Sequence, residues 1–151
     1  MADIVDKQTR SRMMSGIRSR DTRPEMLIRR GLHALGFRYR LHDRKLPGKP
    51  DLVLRKHRAA IMINGCFWHA HNCSLFKLPG TRRDWWKRKF ARTRQRDQEV
   101  LSGLKECGFR VLRIWECSFR GPNSQTVEDV VSFTAEWLES GGSSAEIRSR
   151  Q

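Results

Sequence analysis

Two rhythms of apolar and polar positions run along this chain. After Thr22-Arg23-Pro24-Glu25, the apolar residues Leu27, Ile28, Leu32 and Leu35 recur at helical spacing. Thr22 and Glu25 have capping-box spacing and Pro24 sits just inside the first turn, so a helix is predicted to start there and to stop at Gly36. From Phe37 to Leu41 the pattern alternates, as in a half-buried strand, and Leu46 to Pro50 reads as a turn. Asp51–Leu54 and Ala59–Ile63 are short apolar runs suited to buried strands. Thr81 to Asp84 is predicted to cap a long helix whose stripe is Val100, Leu101, Leu104 and Cys107, ended by Gly108. Phe109 to Trp115 reads as another strand, and Thr126 opens a last helix with Val130, Phe133, Trp137 and Leu138 inward. Helix, three strands, helix, strand, helix, without internal repeat, predicts an α/β fold: a mixed central sheet with helices on both faces. Residues 22–140 form the expected domain, 1–21 a basic arm or helix, and 141–151 a flexible tail.

Composition narrows the class. A chain of 151 residues with 38% hydrophobic content supports one core. No apolar run is long enough to span a bilayer, and Met1-Ala2-Asp3-Ile4 lacks the pattern of a secretory signal. The expectation is a cytoplasmic protein, a monomer at this size, whose four Cys are metal ligands or inert thiols rather than disulfides. The net charge of +15 is clustered: six basic residues fall between Lys7 and Arg23, and eight between Arg82 and Arg96, opposed there only by Asp84. Such clusters favour a phosphate backbone over a membrane surface.

The densest chemistry lies in Gly65-Cys66-Phe67-Trp68-His69-Ala70-His71-Asn72-Cys73. Cys66, His71 and Cys73 can converge from one loop, with Cys117 arriving from the end of a strand. Three thiolates and one imidazole make a closed tetrahedral shell, which implies a structural Zn²⁺. His69 competes with His71, but His71-Asn72-Cys73 forms the tighter chelate and leaves His69 for solvent or substrate. The bland alternative is a few buried thiols with chance histidines. Cys107 reads as a small hydrophobe on its helix.

Asp51 enters its strand beside the expected end of the next, near Ile63 and Asn64. A carboxylate there can hold Mg²⁺ for phosphodiester hydrolysis, and His69 is the candidate base or acid. Glu25 either completes the cap with Thr22 or assists His69. Phe67 and Trp68 can reach a nucleic acid. Trp85 and Trp86 point about 100° apart on a helix, so one can face the core; Trp86 is assigned to DNA. Lys89 and the basic residues around it are expected on phosphates.

Together, the Thr22–Glu25 cap, Phe37-Arg38-Tyr39-Arg40, Leu46 through Asp51, Gly65-Cys66-Phe67-Trp68-His69, His71-x-Cys73, Arg96-Asp97 and Val111-x-x-x-Trp115-Glu116-Cys117 resemble the very-short-patch-repair endonucleases. The likeness runs from about residue 3 to residue 121. It implies a restriction-endonuclease-like fold and Mg²⁺-dependent nicking of double-stranded DNA, 5′ to the T of a T:G mismatch left by deamination of 5-methylcytosine. It implies that Asp51 and the Ile63 carbonyl hold Mg²⁺, that His69 and Glu25 serve catalysis, and that Cys66, His71, Cys73 and Cys117 hold Zn²⁺. Phe67, Trp68 and Trp86 match the rings that wedge beside the mismatch, and other mismatch-repair proteins are possible partners. At the position of a second family histidine this chain has Asn64, an amide that can position water or a phosphate oxygen but not transfer a proton as imidazole does. A zinc-stabilised mismatch binder with weak or no nicking is therefore the alternative, and an RNA binder the third reading.

Overall fold

The computed structural model describes residues 21–150. The basic arm expected over 1–21 lies, apart from Asp21, outside them. Helix α1 (Arg23–Ala34) leads to strands β1 (Arg40–Leu41), β2 (Leu52–Leu54) and β3 (Ala59–Asn64). Helix α2 (Arg83–Glu106), strand β4 (Arg110–Trp115), helix α3 (Val127–Ser140) and strand β5 (Ala145–Ile147) follow. The five strands lie in sequence order in one mixed sheet; β1–β2–β3 are antiparallel and β3–β4–β5 parallel.

Alternation along the strands divides the core between the two faces. Leu52 and Leu54 of β2, Ala59 and Ile61 of β3, and Leu112 and Ile114 of β4 pack with Ile28 and Leu32 of α1 and Val130, Val131 and Leu138 of α3. The intervening Val53, Ala60 and Val111 face Leu104 of α2 and Phe109, with Val100 and Leu101 beside them. The period of two on each strand thus gives the sheet two apolar faces, one covered by α1 and α3 and the other by α2.

The two predicted glycine stops hold, and each corrects a neighbour. At the end of α1, Phe37 N–H donates to the Leu32 carbonyl and Gly36 N–H to that of His33, with Gly36 at φ +95°. At the end of α2, Phe109 and Gly108 repeat the pattern on Leu104 and Lys105. This double bond pattern needs a left-handed residue after the cap and returns the next side chain to the core. Phe37 and Phe109 are therefore buried, while the cap residues Leu35 and Cys107, both expected inside, are exposed. Phe133, also expected inside, is 46% exposed; it lies roughly 100° from the middle of the buried stripe of α3. Thr81 is not the cap of α2, which begins after Arg82 in a left-handed turn without a side-chain cap. Thr126 does cap α3, accepting from the Asp129 N–H.

The stretch expected as a flexible tail is corrected most. Residues 145–147 form β5 on the open edge of β4, pairing Leu112 with Ala145 and Ile114 with Ile147. Arg110 fixes the chain before it: its guanidinium donates to the carbonyls of Trp137, Leu138 and Gly142 and stacks on the Trp137 ring. Among the described residues, no helix is long and apolar enough to cross a membrane.

Candidate active site

The parallel pair β3–β4 brings the metal loop together. Asn64 pairs with Trp115 at the ends of these strands, so Cys66 and Cys117, each two residues further on, emerge side by side. His71 N–H donates to the Cys66 carbonyl and Cys73 N–H to that of His71, folding the loop back on itself. Ligand atoms of Cys66, His71, Cys73 and Cys117 all lie within 4.8 Å of one another. His71 Nδ1 is 3.6 Å from both Cys66 Sγ and Cys117 Sγ. That separation matches the edge of a tetrahedral thiolate–imidazole shell around a zinc-sized ion, roughly 3.6 Å.

The surroundings suit a cation. Burial, with the neighbouring Cys117 and Cys73, pushes the Cys66 thiol far up; a bound ion removes that penalty by taking the thiolates. Burial first, then Arg148, lowers His71 to about 4, leaving a neutral imidazole ready to ligate at neutral pH. Backbone N–H groups of Cys117 and Ser149 donate to the sulfurs of Cys66 and Cys117. Arg148 reaches the Asn72 carbonyl, so the segment after β5 closes over the loop. Of the two competing histidines, His71 is the one inside this group.

His69 meets the same indole as His71, at a different angle. The His71 ring stacks flat on Trp115 at 3.9 Å, while His69 meets the same ring edge-on at 5.8 Å. His69 Nδ1 is 2.7 Å from Asp97 Oδ2 on α2. This fixes the ring and directs Nε2 away from the acid, the arrangement that orients a general base.

Asp51 precedes β2, and the antiparallel register with β3 sets it beside Ile63, whose N–H donates to Asp51 Oδ2 at 2.7 Å. The loop carrying it is braced on α2. Gly48 has φ +71°, and a Cβ there would lie 2.5 Å from Val100 Cγ1. A larger residue here would be strained by the positive φ and would force the Val100 side chain to shift. Burial above all, with Glu25 adding to it, raises the Asp51 carboxyl to about 7, against the Ile63 N–H and His42, which lower it. A divalent cation at Asp51 would restore the anion, so this group fits a metal-holding role.

Glu25 is 1% exposed. It does more than cap: Thr22 Oγ1 accepts from its N–H, while its carboxylate takes Asp21 N–H, Arg29 and His42. It reaches the Asp51 side of the site rather than His69. A cavity of about 460 Å³ is lined by Asp51, Ile63, Asn64 and His69, together with His42 and Asp97. His42 escaped the sequence reading because its place depends on the β1–β2 pairing. Asp97 stood in a quoted motif without a role; its position on the sheet-facing side of α2 was the available signal.

Phe67, Trp68 and Trp86 share one aromatic cluster with Phe90, Phe76 and Trp85. Phe67 meets Trp68, Trp86 and Phe90 edge-on at 5.0, 5.3 and 5.5 Å. Phe67 and Trp68 are half-buried, whereas Trp86 is 6% exposed and forms the inside of the cluster. Lys89 Nζ lies 5.9 Å from the centre of the Trp85 ring.

A half-buried carboxylate, an acid-held imidazole and a cysteine–histidine group gathered at the end of one sheet form a candidate hydrolytic site. The sequence profile of the family described as DNA mismatch endonuclease Vsr matches residues 2–75. The chain is 43% identical over 147 residues to the DNA mismatch endonuclease Vsr of Escherichia coli, covering 97% of this chain and 94% of that protein. It is 41% identical over 117 residues to the type II nicking enzyme V.XorIIP of Xanthomonas oryzae, covering 78% of this chain and 86% of the relative. It is 39% identical over 120 residues to the type II nicking enzyme V.NmeAIP of Neisseria meningitidis, covering 80% and 86%. The chain belongs to the Vsr family of DNA mismatch endonucleases.

Proposed function

We propose that this endonuclease nicks one strand of double-stranded DNA 5′ to the T of a T:G mismatch, starting very short patch repair. The observation that carries this is the meeting of Asp51, Ile63 and His69 in one cavity beside a cluster of large rings. Asp51 and the Ile63 backbone are the residues that would hold Mg²⁺, which supplies charge stabilisation at the phosphate when bound. His69, oriented by Asp97, takes a proton from the attacking water. Asn64 positions that water or a phosphate oxygen, and Glu25 supports the Asp51 side of the site. The Cys66–His71–Cys73–Cys117 group holds Zn²⁺ in a structural role. The sheet and its flanking helices correspond to a restriction-endonuclease-like fold.

Selectivity comes from stacking. Opening a base step costs a few kcal/mol and least at a mismatch. Phe67 and Trp68 enter there, and Trp86, inside the cluster in the free protein, joins them as the cluster opens. Each ring-to-base stack contributes about 1–3 kcal/mol. Lys89 and the exposed arginines of α2 hold phosphates and set register. The enzyme works as a cytoplasmic, nucleoid-associated monomer.

The test is incubation of end-labelled T:G and matched C:G duplexes with and without Mg²⁺. The expected product is a single nick 5′ to the T, only in the mismatched duplex and only with the metal. Equal cutting of both duplexes, or binding without cutting at any protein excess, would overturn the reading.

A further inference from the structure

The cavity over Asp51 holds two imidazoles, and each is tied to an acid. His69 is paired with Asp97. His42 Nε2 lies 3.1 and 3.0 Å from the two oxygens of Glu25, and 4.0 Å from Asp51 Oδ1. Both rings line the same 460 Å³ space. From this geometry, and resting on the nicking activity above, we propose that His42 is a catalytic residue: the second imidazole of the site, contacting the scissile phosphate from the β1 side.

A purely structural explanation leaves too much over. Glu25 already accepts from Arg29 Nη1 at 3.1 Å and from Asp21 N–H at 3.1 Å, so its burial is compensated without a histidine. His42 also occupies a left-handed backbone conformation, φ +48°. Such a conformation costs a non-glycine residue on the order of 1 kcal/mol. It is held because His42 N–H donates to the Asp51 carbonyl, which locks the imidazole to the segment carrying the catalytic acid. The Nε2 side of the ring is engaged by Glu25; Nδ1 has no protein partner among the described residues and is the atom left for substrate. On β3, Asn64 contributes an amide to the cavity and no imidazole. Two imidazole–carboxylate pairs, one with its histidine just after β1 and one with its histidine in the metal loop, thus address one phosphate.

The test is single-turnover nicking of a T:G duplex at saturating protein, beside DNA binding and thermal melting. Gln can keep a donor on Glu25 while removing the ring, so His42→Gln separates the two explanations. It is expected to slow nicking about a hundredfold, with binding and melting temperature near those of the parent. Adding Asn64→His to His42→Gln is expected to restore at least tenfold, a larger effect than the same change has in the parent. His42→Ala is expected to regain activity with millimolar imidazole, and it carries the decision if His42→Gln does not fold. Parent-like nicking by His42→Gln overturns the proposal. So does a loss that follows binding or melting temperature and is relieved by neither imidazole nor Asn64→His. If the parent itself nicks no T:G duplex, the activity reading fails and His42 with it; if the parent nicks and His42→Gln nicks equally, only the role of His42 fails.

Discussion

Two polar clusters flank Trp115, and they are built on opposite plans. On its face lies the Cys66–His71–Cys73–Cys117 group, where the ligand atoms converge on one another and backbone N–H groups cap the sulfurs. At its edge lies His69, and beyond it a cavity where Asp51, His42 and Asp97 line an open space. The first cluster can satisfy an ion completely and leaves no position for a substrate. The second leaves an open cavity between its acid–imidazole pairs, and burial raises the Asp51 carboxyl there to about 7. Closure fits a cluster that holds a loop, and openness fits one that performs chemistry. The shared indole sets the two clusters side by side.

Damage to the closed cluster is expected to cost the most. Cys117→Ser is expected to lower zinc content well below one equivalent and to cost on the order of 5 kcal/mol of stability, read by elemental analysis and denaturant melting. A Cys117→Ser protein that melts like the parent would remove the structural role from this group. At the open cluster, Asp97→Asn keeps the shape but weakens the hold on His69; nicking is expected to fall about tenfold to a hundredfold while zinc content and melting stay unchanged. A matching loss of zinc would mean that the two clusters are not separable.

A smaller effect sharpens the electrostatic difference. In the folded protein Asp51 binds its proton more tightly than in an unfolded chain, rising from 3.8 to about 7. Its contribution to stability is therefore fully present below about pH 4 and is lost as pH rises through about 7. Without divalent metal, the melting temperature should decline across that window more steeply than in Asp51→Asn. With limiting Mg²⁺, nicking should rise with pH through the same range, and its midpoint should move down as Mg²⁺ is raised. A midpoint indifferent to Mg²⁺ would disconnect Asp51 from the metal.

Much of this arrangement was legible in the sequence where local chemistry is strong. Gly36 and Gly108 announced the helix ends, and the spacing around Cys66 and Cys73 announced a ligand loop. The apposition of Asp51 and Ile63 followed from two adjacent apolar runs. What escaped depended on distant partners. Leu35 and Cys107 fit the apolar stripes of their helices, but the reversal at the following glycine gives the core position to Phe37 and Phe109 instead. Ala145-Glu146-Ile147 is too short to read as a strand without the β4 edge that it completes. His42 gains its meaning only when β1 folds against β2 and brings it to Glu25. Adjacent Trp85 and Trp86 had to point apart, but Trp86, assigned outward to DNA, is the one that goes inside, against Phe67 and Phe90, because Phe67 comes from a loop whose packing the spacing does not reveal.

The division of labour is tested most directly on a single preparation of Asp51→Asn. Its zinc content and its single-turnover nicking of a T:G duplex in Mg²⁺ would be measured side by side. The expected result is one equivalent of zinc, an undiminished melting temperature and a nicking rate lower by roughly a thousandfold, about 4 kcal/mol in the barrier. Nicking at the parental rate by a zinc-replete Asp51→Asn protein would contradict the assignment of chemistry to the open cavity.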